Sequence, residues 1–447
     1  MGEQIYLHKH VFFKKTQGVV ILYNIYDYES RLKMHLAVSR LLEDIDGKRT
    51  IEELATRYDE QNYEPIEGFH AKEILKYLLV NDILTTNIEN GKLPELEQKT
   101  PPIDLVNMRI TNSCNFSCKH CFPNSSIQNK SDLTYEEIID IITELAKYKV
   151  LHLTLTGGEP FLNKNLLDIV EYANSKGIIV SVCTNTSLVK DEDISRLSKC
   201  ALGAVEVSMD GASAETHDSC RGKGKYDKLI PQIHKLVDAK VPVCLNTVIS
   251  RFNFHEYKKI IEKANELKVK VLCIDTIRKI GRASTNWQDI GLTYEEKLEF
   301  NTYYRSLFPK HGDVILGAHI FALIYKDIIE DEHLNKACGS CLSTLIILAN
   351  GDMTSCWRLY EINEIAGNIR ENSLDYIWNN SELLKKIRSL EISSVEKCKD
   401  CAENILCDGS CRAFALANHG DWYGEPDDER CRFSQELNSA LLSSCVQ

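Results

Sequence analysis

Short apolar runs alternate with amphipathic stretches over the middle of the chain, from residue 104 to 275. Each apolar run has the length of a buried strand, and the stretch that follows it places apolar residues at helical spacing. The runs cover residues 105–110, 150–155, 178–183, 204–208, 241–248 and 269–275, and helical stretches include 134–147, 164–175, 226–239 and 254–267. This order predicts an α/β fold over about residues 104–290, in which six parallel strands form an open sheet or a partial barrel.

The first 87 residues have a different pattern, which predicts a small α+β domain of their own. An apolar run at residues 19–23 indicates one arm of a hairpin that starts near Val11. Thr50 and Glu53 have the spacing of a capping box, which marks the start of a helix. The helical patterns of this region lie at residues 37–42, 50–58 and 71–80, before a short extended stretch at 83–86.

The rest of the chain is predicted to contain a linker, a bridging segment and a cysteine-rich C-terminal domain. Residues 88–103 are polar and end in two prolines, as expected of a linker. Residues 291–337 are predicted to form bridging helices. Residues 338–447 contain a dense group of cysteines and an Asn-Gly pair, which is a hairpin signal.

Composition and charge narrow the classes of function. The chain has 447 residues, of which 43% are hydrophobic and 26% charged, as in soluble globular proteins. Its formal net charge of −12 argues against nucleic-acid binding as the main task. Residues 1–10 contain no apolar signal core, and no segment has the length of a membrane span. We therefore expect a cytoplasmic protein without a membrane or nucleic-acid partner.

Seventeen cysteines need an explanation in such a protein. In a reducing compartment they are metal ligands more often than disulfides. Their distribution is uneven, since residues 1–113 contain none and eight lie between Cys338 and Cys431. Cys183, Cys244 and Cys273 lie in strand-like runs, where a small buried apolar side chain is the ordinary interpretation.

A run of three cysteines, Cys114, Cys118 and Cys121, follows the first predicted strand in the pattern CxxxCxxC. Three thiolates on one loop are able to hold three irons of a four-iron cluster, which leaves the fourth iron open to another ligand. A zinc site completed by a distant His or Cys is the alternative. In parallel α/β folds the reactive face lies at the carboxyl ends of the strands, where this loop is predicted to lie.

A second motif, Gly157-Gly158-Glu159, follows the second predicted strand. Glycines let the backbone approach a ligand closely, and a carboxylate pairs with an ammonium group. With both motifs in this order, residues 104–280 resemble the radical S-adenosylmethionine (SAM) enzymes.

The resemblance implies a site in which SAM chelates the open iron of the cluster. Cys114, Cys118 and Cys121 would be the cluster ligands. Gly157, Gly158 and Glu159 would hold the methionyl amine of SAM. Ser208-Met209-Asp210 would contact the ribose and the methionine. Arg221 would meet the carboxylate, and His120 would lie near the adenine. The protein would supply orientation and exclusion of water, while the cofactor supplies a 5′-deoxyadenosyl radical.

The C-terminal cysteines resemble the SPASM extension of radical SAM peptide-modifying enzymes, which holds two auxiliary four-iron clusters. The resemblance implies three 4Fe–4S clusters in all, and zinc is the alternative. The first auxiliary cluster would be held by Cys338, Cys341, Cys356 and Cys411, and the second by Cys398, Cys401, Cys407 and Cys431. The spacing from Cys338 to Cys341 is tighter than in some relatives. Without Cys338 the first auxiliary cluster would have an open iron.

The N-terminal region resembles the small winged-helix, PqqD-like domains that bind leader peptides, and a purely structural role is the alternative. All three parts together resemble maturases of ribosomally made peptides that form thioether crosslinks, of the sactipeptide and ranthipeptide type. The expected partners are a precursor peptide with a leader and an electron donor such as flavodoxin or ferredoxin. Carbon–carbon crosslinking, epimerisation and formylglycine formation in a sulfatase remain alternatives within the class. A non-catalytic iron–sulfur peptide sensor is the alternative from a different class.

Overall fold

The structure of this chain is a computed structural model. It describes residues 3–15, 19–25, 27–35, 37–61, 70–94, 101–122, 132–307, 310–317, 338, 340–401, 410–426 and 428–445.

The N-terminal part forms a unit with two three-stranded sheets, three helices and a core of its own. One sheet has the order β5-β1-β6 and the other β2-β3-β4. The predicted capping box of Thr50 and Glu53 is present. The elements are β1 Tyr6–His8, β2 Val11–Lys15, β3 Val19–Asn24, β4 Asp27–His35, α1 Val38–Glu43, α2 Ile51–Glu60, α3 Ala71–Val80, β5 Leu84–Thr85 and β6 Gly91–Lys92.

Six parallel strands form the centre of the molecule, which confirms the predicted fold class. The strands are β7 Leu105–Thr111, β8 His152–Gly157, β9 Ile179–Thr184, β10 Leu202–Ser208, β11 Val243–Ile249 and β12 Val271–Thr276. The helices between them cover the outer face of the sheet with the largest apolar core of the chain. They are α4 Tyr135–Lys147, α5 Leu166–Ser175, α6 Asp191–Leu197, α7 Ala214–Arg221, α8 Tyr226–Asp238 and α9 Tyr257–Glu266.

Both later segments of the chain extend this sheet. After α10 Arg282–Thr285, α11 Trp287–Ile290 and α12 Tyr294–Ser306 come β13 Lys310–His311 and β14 Val314–Gly317. Strand β14 pairs in parallel with β12, so residues 291–337 contribute strands as well as a helix. Residues 318–337 lie outside the described residues.

The cysteine-rich segment adds three strands to the opposite edge, where β15 pairs in parallel with β7. The Asn-Gly pair lies in the predicted hairpin, which joins β15 to β16. The remaining elements are β15 Thr344–Ile347, β16 Asp352–Thr354, α13 Trp357–Glu361, β17 Gly367–Asn368, α14 Leu374–Asn380, α15 Glu382–Arg388, α16 Arg412–His419 and α17 Asp428–Cys445. Helix α17 packs against α12, where the Tyr294 hydroxyl donates to Glu436 at 2.8 Å.

The N-terminal unit closes the amino end of the barrel. Ile21, Tyr23 and Ile25, on and just after β3, pack against the amino ends of the parallel strands in a separate apolar cluster. Lys14 and Asp104 form a buried ion pair beside this contact. Residues 1–87 are therefore not a freely separable domain, because their removal would expose the base of the barrel to water.

Candidate active site at the carboxyl end of the barrel

A cavity of about 340 Å³ lies at the carboxyl ends of the parallel strands. Leaving aside the fully buried Met209, nine of the ten residues predicted to bind the first cluster or SAM line this cavity, and they come from four segments of the chain. They are Cys114, Cys118, His120, Cys121, Gly157, Gly158, Glu159, Ser208 and Arg221. The tenth, Asp210, lies directly behind the wall, where it pairs with Arg221. The structure thus brings these predicted residues into one site.

The three-cysteine loop is held by backbone contacts from two other segments. Arg282 donates its backbone N–H to the carbonyl of Cys121 at 3.0 Å and its side-chain Nε to that of Cys118 at 2.9 Å. From the other side, the carbonyl of Cys220 accepts the N–H of Lys119 at 3.1 Å. The thiols are left to face the cavity, where burial raises the pKa of Cys118. Three thiols on one loop that line the same cavity are a donor set that fits an iron–sulfur cluster.

The two glycines are required because the loops that bear the two motifs approach each other closely. Gly158 donates its N–H to the Thr111 carbonyl at 2.9 Å, and Glu159 donates to the Ser113 carbonyl at 2.8 Å. A Cβ on Gly157 would lie 2.3 Å from the Thr111 oxygen, and one on Gly158 only 2.1 Å from the Ser113 oxygen. Any larger residue would push the two loops apart.

Glu159 is almost completely buried and is held in one orientation. Its Oε1 accepts hydrogen bonds from the Thr184 hydroxyl at 2.7 Å and the Phe161 N–H at 3.2 Å. Its Oε2 accepts the N–H of Asn185 at 2.8 Å. Burial raises the pKa of this carboxyl, while these donors favour its charged form. A fixed carboxylate at the cavity wall fits the binding of an ammonium group such as the one in SAM.

An ion pair lies beside the cluster loop. Arg221 donates from Nε to Asp210 Oδ2 at 2.6 Å and places Nη1 3.9 Å from the Cys118 sulfur. Burial of Asp210 opposes its ionisation, but the charge of Arg221 and a hydrogen bond from the Val248 N–H outweigh it and lower its pKa to about 2. The pair is therefore intact at neutral pH, and it fixes a cation next to the predicted cluster.

His120 contacts the same carboxylate. Its Nε2 lies 3.4 Å from Asp210 Oδ2, and its Nδ1 lies 2.5 Å from the sulfur of Cys220. Burial lowers the pKa of His120, so the imidazole is neutral. The ring is part of the cavity wall, in keeping with the predicted role in packing against the cofactor rather than in carrying protons.

Sequence reasoning missed part of the wall. The missed residues lie at the carboxyl ends of β9, β11 and β12 or next to the cluster cysteines, and they include Phe116, Phe122, Cys183, Asn185, Val248, Asp275 and Ile277. The ends of the predicted strands were a usable signal for most of them. Cys183 was interpreted as a small buried apolar residue, but it lies on the wall of the cavity.

The C-terminal cysteines come together in two groups. Cys338 interacts electrostatically with Cys356, Cys411 and Cys341, so these four thiols share one neighbourhood. Cys356 and Cys411 stand at the N-termini of α13 and α16. Four thiols gathered in this way fit a closed four-iron cluster.

The second group contains Cys398 and Cys401, which are joined by a backbone hydrogen bond of 3.2 Å. Cys431 interacts with Lys397, the neighbour of Cys398. Cys407 lies outside the described residues, so the fourth ligand of the second predicted cluster stays a prediction.

The comparison with protein families matches both cysteine-bearing regions. Residues 108–264 match the radical SAM superfamily, and residues 331–402 match the SPASM iron–sulfur cluster-binding domain. The chain therefore contains a radical SAM domain followed by a SPASM domain. SAM and iron–sulfur clusters are therefore its cofactors, and the cavity and the cysteine groups are the places that fit them.

Curated relatives of this radical SAM protein have several activities. The AdoMet-dependent heme synthase of Methanosarcina barkeri is 29% identical over 72% of the chain and 94% of its own length. The mycofactocin maturase MftC of Mycolicibacterium smegmatis is 28% identical over 68% of the chain and 76% of its own length. The PqqA peptide cyclase of Rhizobium meliloti is 27% identical over 72% of the chain and 85% of its own length.

Solved structures share the fold at low sequence identity. Streptococcus suis SuiB matches 95% of this radical SAM protein and 99% of its own chain, with a TM-score of 0.68 at 16% identity. The structure of anSMEcpe with bound AdoMet matches 77% of the chain and 98% of its own, with a TM-score of 0.60 at 17% identity. The likeness to SuiB thus extends over the N-terminal unit as well. Among the described helices, none is both long and apolar enough to span a bilayer.

Proposed function

We propose that this radical SAM protein is a maturase that abstracts a hydrogen atom from a ribosomally made precursor peptide and closes an intramolecular thioether. The observation that carries the proposal is the full-length likeness to SuiB, a protein whose structure has been solved with its precursor peptide SuiA. The PqqA peptide cyclase, which is named for a peptide substrate, and MftC, which is named as a maturase, support the same proposal.

The chain's own residues prepare the cavity for this chemistry. SAM bound to the reduced cluster supplies a 5′-deoxyadenosyl radical, which takes hydrogen from unactivated carbon. Glu159 offers a fixed carboxylate to the methionyl amine, and Arg221 offers a cation to the methionyl carboxylate. The apolar side chains of Phe116, Val248 and Ile277 line another part of the wall and would help to keep water from the radical.

The N-terminal unit would bind the leader of the precursor. Strand β2 lies against the barrel, since a Cβ on Gly177 would lie only 2.2 Å from the Phe12 ring. Strand β4 is the other edge of the sheet, and among the described strands none pairs with its outer side. Its unpaired backbone groups are suited to the addition of a leader strand. Electrons would come from a donor such as flavodoxin or ferredoxin.

A second candidate substrate class is the tetrapyrrole, because the heme synthase of Methanosarcina barkeri is matched over 94% of its length. That match leaves over a quarter of this chain unaccounted for, whereas the likeness to SuiB covers 95%. The larger share of the chain that SuiB matches therefore favours the peptide.

The test uses anaerobically reconstituted full-length protein, SAM, a reductant and a small cysteine-containing peptide encoded beside its gene. We expect the peptide to lose two hydrogens and one alkylatable thiol per crosslink, because a thioether consumes one C–H and one S–H bond. Intact mass and iodoacetamide labelling measure the two losses. The same peptide without its leader is the matched control and should react far more slowly.

Three other results would contradict the thioether. A loss of two hydrogens with every thiol still alkylatable would indicate a carbon–carbon bond. An unchanged mass with uptake of deuterium from heavy water would indicate epimerisation. Formation of 5′-deoxyadenosine with a tetrapyrrole but with no peptide would indicate heme synthesis.

A further inference from the structure

We propose that Glu206 accepts, through the thiol of Cys183, the proton that the substrate thiol loses when the thioether forms. This assignment rests on the proposed function and names the base that the reaction needs. The two residues are direct neighbours on β10 and β9, where they are register partners in the parallel sheet.

Their placement gives a path from the cavity into the barrel. Cys183 lines the cavity that contains the cluster cysteines, and Glu206 lies behind it with only 6% of its surface exposed. The thiol of Cys183 and the carboxyl of Glu206 are close enough for each to affect the pKa of the other. Asn246 donates from Nδ2 to Glu206 Oε2 at 2.8 Å and so fixes the carboxyl plane. Oε1 receives no N–H or O–H donor from the described residues, which leaves it free for a thiol proton.

Among the described residues, the groups that act on the carboxyl of Glu206 are neutral. The titratable ones are the thiols of Cys183 and Cys244 on the adjoining strands, and Cys273 lies 3.6 Å from Cys244. Burial raises the pKa of Glu206 and also that of Cys183 and Cys244, so these two thiols stay protonated. A carboxyl with a raised pKa is suited to general base catalysis near neutral pH.

The other carboxylates around the cavity are already engaged. Glu159 accepts three hydrogen bonds, and Asp210 is tied to Arg221. Asp275 lies at the half-exposed rim, where Arg278 donates to it at 2.6 Å. Among the described carboxylates near the cavity, Glu206 is the one whose free oxygen meets only a thiol.

The step balances in atoms and electrons. The 5′-deoxyadenosyl radical takes a hydrogen atom from a substrate carbon, and the substrate sulfur forms a bond to that carbon as its S–H bond breaks. The proton passes to the Cys183 sulfur while the Cys183 proton passes to Glu206. The remaining electron reduces an oxidised iron–sulfur cluster of the SPASM domain. The peptide therefore loses two hydrogens in all.

The test compares three variants with the unchanged protein by the ratio of crosslinked peptide to 5′-deoxyadenosine. Glu206→Gln keeps an acceptor for Asn246 but accepts no proton, so the ratio should fall about tenfold or more. Cys183→Ala breaks the relay, so the ratio should fall by the same factor. Cys183→Ser keeps a hydroxyl in the relay and should stay within about twofold of the unchanged protein. Iron content and melting temperature check that each variant is folded.

The pH dependence separates a base from a structural residue. In the unchanged protein, single-turnover crosslinking should decline as the pH falls through the pKa of Glu206, because only the carboxylate accepts a proton. In Glu206→Gln this decline should be absent. An unchanged ratio and pH profile in Glu206→Gln would overturn the assignment.

Two further results would also overturn it. If Cys183→Ser fails as badly as Cys183→Ala, and the unchanged protein places solvent deuterium on the peptide carbon, then Cys183 is a hydrogen-atom donor instead. If the unchanged protein forms 5′-deoxyadenosine but no thioether, the proposed function fails and the base falls with it. If only the assignment of Glu206 as the base is wrong, every variant still forms the thioether.

Discussion

Replacing Cys114, Cys118 and Cys121 together with alanine is expected to abolish reductive cleavage of SAM. The three thiols line the cavity and are the ligands that the loop offers to the first cluster. Without them the first cluster cannot form, so the protein has no open iron that could chelate SAM and pass an electron to it. About eight irons per chain should remain out of about twelve, because each auxiliary cluster holds four. Formation of 5′-deoxyadenosine with dithionite, together with iron analysis, measures both effects.

The matched control for these substitutions is Cys200→Ala. Cys200 is half-buried beside the N-terminal unit and far along the chain from every predicted cluster cysteine. Its thiol donates to the Arg196 carbonyl at 3.4 Å. This variant should keep all of its iron and its full cleavage rate. Cleavage that persists in the triple variant would show that the first cluster is held elsewhere.

Gly158→Ala is expected to lower the rate of SAM cleavage about hundredfold, since a displacement of about 1 Å at a reacting site has an effect of that size. The new Cβ would lie 2.1 Å from the Ser113 carbonyl oxygen, which is backbone and has no rotamer to escape into. The loop of Glu159 must then move away from the loop of Cys114. Because the cysteines are untouched, the iron content should stay unchanged.

Gly420→Ala separates this clash from the general cost of replacing a glycine. Gly420 ends α16 with a φ of +67°, and a Cβ there would have no atom within 4 Å. Its substitution costs about 1 kcal/mol of conformational strain but displaces no loop. It should therefore lower the melting temperature slightly and leave SAM cleavage alone. Equal loss of cleavage in the two variants would refute the close approach as the reason for Gly158.

The parts of the fold that sequence predicts best are those with local signals. The six parallel strands are continuous apolar runs, and the Cys114–Cys121 loop and Gly157–Glu159 follow two of them directly. Strands β13, β14 and β17 were missed because segments of two to four residues carry no periodicity, whereas the Asn-Gly pair indicated the hairpin of β15 and β16. Strand β4 was missed because its sequence, DYESRLKMH, has only Leu32 and Met34 as aliphatic residues facing the N-terminal core.

The contact between the N-terminal unit and the barrel was beyond sequence reasoning. The run around Tyr23 is apolar on both faces, which is consistent with a buried hairpin of any kind. Only the structure shows that one face packs in the unit's own core and the other against Leu105, Ile179 and Cys244. Deletion of residues 1–87 would therefore disturb the barrel as well as remove leader binding, and the leaderless peptide is the cleaner comparison.

The most direct test of the central claim is the transfer of deuterium from the precursor peptide to 5′-deoxyadenosine. The peptide is made with deuterium on its carbon atoms and is incubated anaerobically with the full-length protein, SAM and reductant in ordinary water. A radical that acts on the peptide will give 5′-deoxyadenosine one mass unit heavier, in step with crosslinked product. If the 5′-deoxyadenosine has its ordinary mass and forms at the same rate with or without the peptide, the account is contradicted.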